Sequence, residues 1–423
     1  MESYWKYTIA AFIGVMLFAF DFELFLASIP GLIGLFGFSL NDINIINDIA
    51  FGISAIAAFS FGALADRFGR KLLFMITILI YAFGSFLTGL SSTVLSFIGA
   101  RGITSVGTGP DEPLGFTLTA ETAPAKARGR QMMVTSLGFP IGQAIGAAVV
   151  YLFVLHSVYL PYVFFIGVIP ALFLLYLRKG LPETDRFADL KAAREKVEKE
   201  KVSNVETKYK ANLQEAVKNP YMQLFDLDLR RKSILMAIYT TIVAGNVAIS
   251  LIALPIYYTS VKHVSFASTL SFEFISFALA AVGYVVVAYV GNRIGRRNII
   301  LAFLFVTVFS IFGIIYSTTP TEVLVFNVIF IFFLFSQWAA WPFYLNEMFP
   351  TRVRATASNF GYAFQWIGNI IFPTSILSIV TIYTGNWELA IILTMIVPIA
   401  FALFLTALLP RDNPTAVLEA NAI

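Results

Sequence analysis

Gly62-Ala63-Leu64-Ala65-Asp66-Arg67-Phe68-Gly69-Arg70-Lys71 has a counterpart in Val290-Gly291-Asn292-Arg293-Ile294-Gly295-Arg296-Arg297, with Gly69 in register with Gly295, an offset of 226 residues. A second pair of stretches keeps that offset. Glu121-Thr122-Ala123-Pro124-Ala125-Lys126-Ala127-Arg128 answers to Glu347-Met348-Phe349-Pro350-Thr351-Arg352-Val353-Arg354. Two unrelated motifs with one spacing imply an internal duplication, so the chain reads as two copies of one unit. Such parallel repeats put a solute site near the midplane between them.

The units are membrane-embedded. Of 423 residues, 58% are hydrophobic and 13% charged, against about 25% charged in soluble domains. Aromatics reach 16%, led by 43 Phe. Apolar runs of about 20 residues each suffice to cross about 30 Å of hydrocarbon, and continuous runs of this kind mean helices. The expected spans are 5–29, 42–63, 71–91, 96–121, 131–154, 158–177, 233–256, 267–290, 298–317, 321–344, 355–381 and 387–409. The fold class is all-α, with twelve transmembrane helices in two six-helix bundles. The first apolar run, Trp5 to Ile29, is too long for a signal-peptide core and lacks a small-residue cleavage pattern, so it reads as a retained span.

Charge sets the orientation. Under this assignment every Lys and Arg falls on one side except Arg101, inside span 4, and Lys262, in an opposite loop. That asymmetry puts both termini in the cytoplasm of a cell whose cytoplasmic membrane holds the chain. The expected domains are 1–177, a first bundle, and 233–423, a second bundle with a short tail. Between them, 178–232 is a charged cytoplasmic linker with helix-spaced pairs such as Lys191–Glu195, Glu195–Lys199 and Lys196–Glu200.

Several classes fall away. There is no Cys, hence no disulfide framework or thiolate metal site. His156 and His263 lie far apart near loops. No phosphate-cradling glycine loop followed by Lys and Ser or Thr is present, which removes the usual ATP-driven pump. No cofactor or metal is expected. The basic residues follow topology, so nucleic acid is not an expected partner. No nucleophile arrangement gathers, and the chain does not read as an enzyme.

With these stretches in view, the Asp66–Lys71 loop resembles the signature loop of the major facilitator superfamily. Arg101-Gly102-Ile103-Thr104-Ser105-Val106-Gly107-Thr108-Gly109-Pro110-Asp111-Glu112-Pro113, running on to Glu121 and Arg128, is similar to the fourth span of its metabolite:proton symporters, which include aromatic-acid, sugar and phosphate porters. Leu181-Pro182-Glu183-Thr184 resembles the segment after span 6 of the sugar porters. There are departures. Span 7, around Tyr239 to Asn246, has neither the Gln of sugar porters nor the Asp of phosphate porters. Span 5 places Pro140 early, unlike drug antiporters. Gly138, Gly142 and Gly146 on that span form a small-residue face for close helix contact.

Carboxylates inside spans are costly and functional by default. They are Asp21, Glu23, Asp48, Asp111, Glu112 and Glu273, and Arg101 is the basic partner within the spans. Asp21, nine residues before Pro30, matches the coupling carboxylate of the aromatic-acid symporters. Glu23 is about 200° around the helix from it. In span 4, Arg101, Thr108, Glu112 and Thr119 share a stripe from which Asp111 departs by about 80°, whereas the resemblance points to Asp111. Asp111 is taken as the first of the two. The expected proton-coupling set is therefore Asp21, Glu23, Arg101, Asp111 and Glu112.

Under the 226 offset the first half's acidic groups become Gln337 and Trp338. This suggests proton handling in half one and solute contact in half two, through Tyr239, Asn246, Gln337, Trp338, Trp341, Gln365 and Asn369. The resemblance further implies a gate of ion pairs closing the cytoplasmic side: Asp66, Arg67, Arg70, Glu121 and Arg128 against Arg293, Arg296, Glu347 and Arg354. The expected function is proton-coupled symport of a small organic solute, carboxylate or sugar-like, by a monomer in the lipid bilayer. The alternatives are export of an organic cation or drug in exchange for protons, and a solute sensor without flux.

Overall fold

The computed structural model describes residues 3–185, 187–189, 191–192, 220–350 and 352–411. Among the described residues, twelve long helical rods run in two sets. The first set is α1 (Ser3–Phe36), α2 (Leu40–Phe68), α3 (Arg70–Gly89), α4 (Val94–Thr122), α5 (Ala125–Leu155) and a broken α6 (Leu160–Lys179). The second is α7 (Arg230–Ser260), α8 (Phe266–Ile294), α9 (Arg296–Tyr316), α10 (Pro320–Met348, interrupted by a 3-10 turn at Gln337–Ala339), α11 (Arg354–Ile370, continuing through Ile371–Leu377 to Ser378–Thr384) and α12 (Trp387–Leu408). Among the described residues, ten are long and apolar enough to cross a membrane. The others, α4 and α11, carry much of the buried polar chemistry.

The duplication is visible in how helices meet. α1 lies on α5 as α7 lies on α11, α2 on α4 as α8 on α10, and α3 on α6 as α9 on α12. The bundles join through α2 against α11 and α5 against α8, the same contact made twice with roles exchanged. Helix contact in lipid depends on small residues. At Gly62 the seam is so close that a Cβ would stand 2.7 Å from that of Asn359 on α11. The turns after α2 and α8 both reverse on a left-handed glycine, Gly69 (φ +115°) and Gly295 (φ +90°), a conformation that a side chain makes costly. Phe83, Leu95, Phe305, Phe309 and Phe404 point outward and leave an apolar girdle suited to lipid.

Two expectations about the linker are corrected. Arg178 is not linker. The last turns of α6 carry Ala171, Leu174 and Arg178 on one fully buried face, so the first bundle extends past residue 177. Nor is the start of 178–232 merely solvated. Pro182 accepts from the Tyr7 hydroxyl (3.1 Å), and Phe187 lies under the Arg70 guanidinium (4.6 Å). The helix-spaced charge pairs lie outside the described residues. Lys262, the loop exception to the charge asymmetry, donates to Ile315 O (2.6 Å) and Ser317 O (2.8 Å). It caps the end of α9, where cations are favoured.

Candidate functional site

At the end carrying the Gly69 and Gly295 turns, the bundles are held together by charge. Arg70 Nη2 contacts Asp66 Oδ1 (2.7 Å) and Glu121 Oε1 (3.2 Å) within the first bundle. Arg296 Nη1 contacts Glu347 Oε2 (3.1 Å) within the second. Across the seam, Arg128 reaches Glu347 (3.0 Å) and Arg354 reaches Glu121 (3.9 Å). Asp66 Oδ2 also accepts from the backbone N–H and hydroxyl of Thr356 on α11 (2.8 and 2.7 Å). All these groups are buried. Arg67 and Arg293, expected in the gate, are exposed and lie against Phe68 and Tyr289. Each precedes the reversing glycine by two residues, and the helix turns it away from the seam.

Deeper in the first bundle, Asp21 of α1 meets Arg101 of α4 (2.9 Å), with Ser85 of α3 donating to the other carboxylate oxygen (2.5 Å) and the Phe25 ring facing the guanidinium (4.6 Å). Arg101 is not the sole buried cation of the spans, as expected from sequence. Arg178 of α6 grips Asp111 with both terminal nitrogens (2.6 and 2.9 Å), and Thr77 of α3 adds a third hydrogen bond (2.5 Å). Gly14 of α1 leaves the space that the guanidinium fills. Asp111 is thus satisfied inside its own bundle and faces away from the seam.

Glu112 points the other way. It receives a hydrogen bond from the Tyr362 hydroxyl of α11 (3.3 Å) and lines a cavity between the bundles. Phe18 and Phe22 of α1, Phe139 of α5, Phe335 and Trp338 of α10 and Trp366 of α11 set rings in its wall, joined by Gln365 and Asn369. The free space is about 30 Å³, room for water but less than the roughly 150 Å³ that admits benzene. A solute must part these walls.

The solute set expected from sequence divides. Trp338, Gln365 and Asn369 line the cavity. Tyr239, Asn246, Gln337 and Trp341 do not. The 3-10 turn swings Gln337 to accept from the Tyr239 hydroxyl (2.7 Å), Trp341 lies on the Tyr239 ring (4.1 Å), and Asn246 bonds back to Ile242 O (3.0 Å). Solute contact is not confined to the second half, because α1, α4 and α5 line the cavity together with α7, α8, α10 and α11. Phe18 and Phe22, one turn apart, were legible as a stripe on α1 but had no role assigned. Glu23 joins neither Arg101 nor the cavity. Its stem lies on Gly146 of α5, its Oε2 has no hydrogen-bond partner, and Glu273 of α8 acts on it across the seam.

Two six-helix bundles related by repeat, a clasped end and a buried seam cavity define a solute transporter. The Major Facilitator Superfamily model matches residues 11–373, and 236–422 in a further match. The chain belongs to this family. It is 28% identical over 322 residues to the putative niacin/nicotinamide transporter NiaP of Bacillus subtilis, covering 75% of this chain and 74% of that one. It is 26% identical over 426 residues to the probable 4-methylmuconolactone transporter of Cupriavidus pinatubonensis, covering 98% and 92%. The solved proton:xylose symporter XylE shares the fold at a TM-score of 0.76 and 18% identity, covering 99% of this chain and 98% of that one.

Proposed function

We propose that the protein is a proton-coupled symporter of a small organic solute, working by alternating access between its bundles. Glu112 carries the reading: a buried carboxyl of one bundle, in the cavity wall, bridged by Tyr362 of the other. A carboxyl on a moving seam binds a proton when the seam dries and releases it when water enters. Asp21 and Arg101 supply a second station, at which a proton on Asp21 frees the guanidinium. Relatives named as transporters of niacin or nicotinamide and of 4-methylmuconolactone support a small organic solute.

The concentration of Lys and Arg at the clasped end supports a cytoplasmic placement of that end and of both termini. One chain encloses the cavity and both halves of the clasp, so a monomer in the cytoplasmic membrane is the proposed working unit. The test is proton flux into proteoliposomes holding a pH dye, with organic acids, amides, sugars and organic cations added outside. Symport acidifies the lumen with one solute class, and Glu112→Gln abolishes that signal. Lumenal alkalinisation replaces symport by exchange, and uptake without proton movement leaves a facilitator.

A further inference from the structure

The cavity's lining restricts what it holds. We infer that the site selects a flat, ring-bearing solute with hydrogen-bonding substituents and no net negative charge, an inference that rests on the seam cavity being the transport site.

The wall is built of rings from both bundles. Trp366 stands edge-on to Phe18 (85°) and Phe22 (72°), each with ring centres 6.1 Å apart, and Phe139 approaches Phe335 at 6.2 Å. Rings prefer faces or edges of other rings. A flat solute entering between these pairs replaces ring–ring contacts with equivalent ones. A sugar, with hydroxyls around its rim, would leave most of them facing carbon.

The polar groups are few and waiting. Ser136 Oγ, Trp366 Nε1 and Asn369 Oδ1 have no hydrogen-bond partner, although Ser136, Trp366 and Asn369 are only 2%, 2% and 4% exposed. Gln365 Oε1 is likewise unpartnered. Leaving a buried polar group unsatisfied costs about 1–3 kcal/mol, and a solute offering both donors and acceptors removes that cost. An amide substituent does so without carrying charge.

Charge sets the sign of selection. Among the described residues no Lys, Arg or His lines the cavity, and its one ionisable acid is Glu112. The nearby guanidinium groups are engaged, Arg101 by Asp21 and Arg178 by Asp111. A carboxylate solute would be desolvated beside Glu112 with no counter-charge, and such a mismatch excludes competitors. A neutral ring meets no such obstacle, and a cationic one gains from the ring faces.

Equilibrium binding to the detergent-solubilised full chain tests this without flux, using tryptophan fluorescence. The probes are benzamide, benzamidine and benzoate, nicotinamide and nicotinate, and xylose. Neutral and cationic rings are expected to bind at least about tenfold more tightly than the matched carboxylates, a difference of about 1.4 kcal/mol. Phe18→Ala, with folding checked by gel filtration, should weaken benzamidine and benzamide alike, since both rest on the ring wall that Phe18 forms with Trp366. Carboxylates binding as tightly as their amides overturn the inference, as do binding of xylose alone and failure of every ring compound. Absence of proton coupling with the charge preference intact would defeat the symport reading and leave this one standing.

Discussion

Glu121 and Glu347, related by the internal repeat, each hold one arginine of their own bundle and one of the other. Glu121 has Arg70 at 3.2 Å and Arg354 at 3.9 Å, while Glu347 has Arg296 at 3.1 Å and Arg128 at 3.0 Å. The arginines obey the same repeat: Arg70 answers to Arg296 and Arg128 to Arg354. The clasp is a two-fold element whose making and breaking can switch the bundles between two states.

Glu347→Gln should open this end. It removes the charge shared by Arg128 and Arg296, and breaking a buried pair costs about 3–5 kcal/mol. The chain has no Cys, so Thr117→Cys, behind the clasp and facing Asn346 (3.3 Å), gives a clean reporter. Maleimide labelling should rise at least about tenfold, corresponding to about 1.4 kcal/mol. An unchanged rate would mean that the clasp does not hold the state. Arg67→Ala, by contrast, should leave labelling unaltered.

Gly62→Leu should reach the same open state without touching a charge. Its side chain would press on Asn359 and on the backbone of Ala355 and Thr356, wedging α2 from α11. Overpacking costs about 1–3 kcal/mol. The same labelling assay reads it, and Gly62→Ala should give the smaller increase.

Arg178→Met should cost stability rather than coupling. It strands Asp111 in a buried site, at about 3–5 kcal/mol. Asp111→Asn with Arg178→Met should recover most of the loss. Arg178→Lys should not, since one ammonium cannot reproduce a two-pronged grip. Thermal unfolding in detergent measures all three. Equal losses for the single and double variants would show the pair to be uncoupled.

Asp21→Asn should uncouple. Proton-driven accumulation should vanish while solute exchange across a closed gradient persists, since Asp21 does not line the cavity. Asp21→Asn with Arg101→Gln should regain stability lost by the single variant but not accumulation. Full pH-driven uptake by Asp21→Asn would remove this pair from the mechanism.

Much of the architecture was legible because a repeat constrains everything between its copies: one offset located both turns, both clasp carboxylates and their arginines. Arg178 was missed because hydropathy falls after Leu177, at Arg178 and Lys179. Its signal was the spacing Ala171, Leu174, Arg178 on one face, which a count of charges does not register. For Asp111 and Glu112, the helical angle that sets the two on different faces matches their placement, Glu112 in the cavity wall and Asp111 on Arg178. Gln337 and Trp341 were misplaced for a local reason. The 3-10 turn at Gln337–Ala339 breaks the register with the first half that the repeat offset assumes, and Tyr239 engages both side chains.

The pairs inside each bundle bear on speed as well as on population. When the bundles part, Glu121 keeps Arg70 and Glu347 keeps Arg296, so neither carboxylate is left without a counter-ion. The groups that lose a carboxylate across the seam, Arg128 and Arg354, would meet water, where a guanidinium is at little disadvantage. No bare buried charge has to appear along the way. The barrier to reversal is thereby kept low, and a carrier that must reverse twice per cycle gains turnover from arginines that never leave their own half.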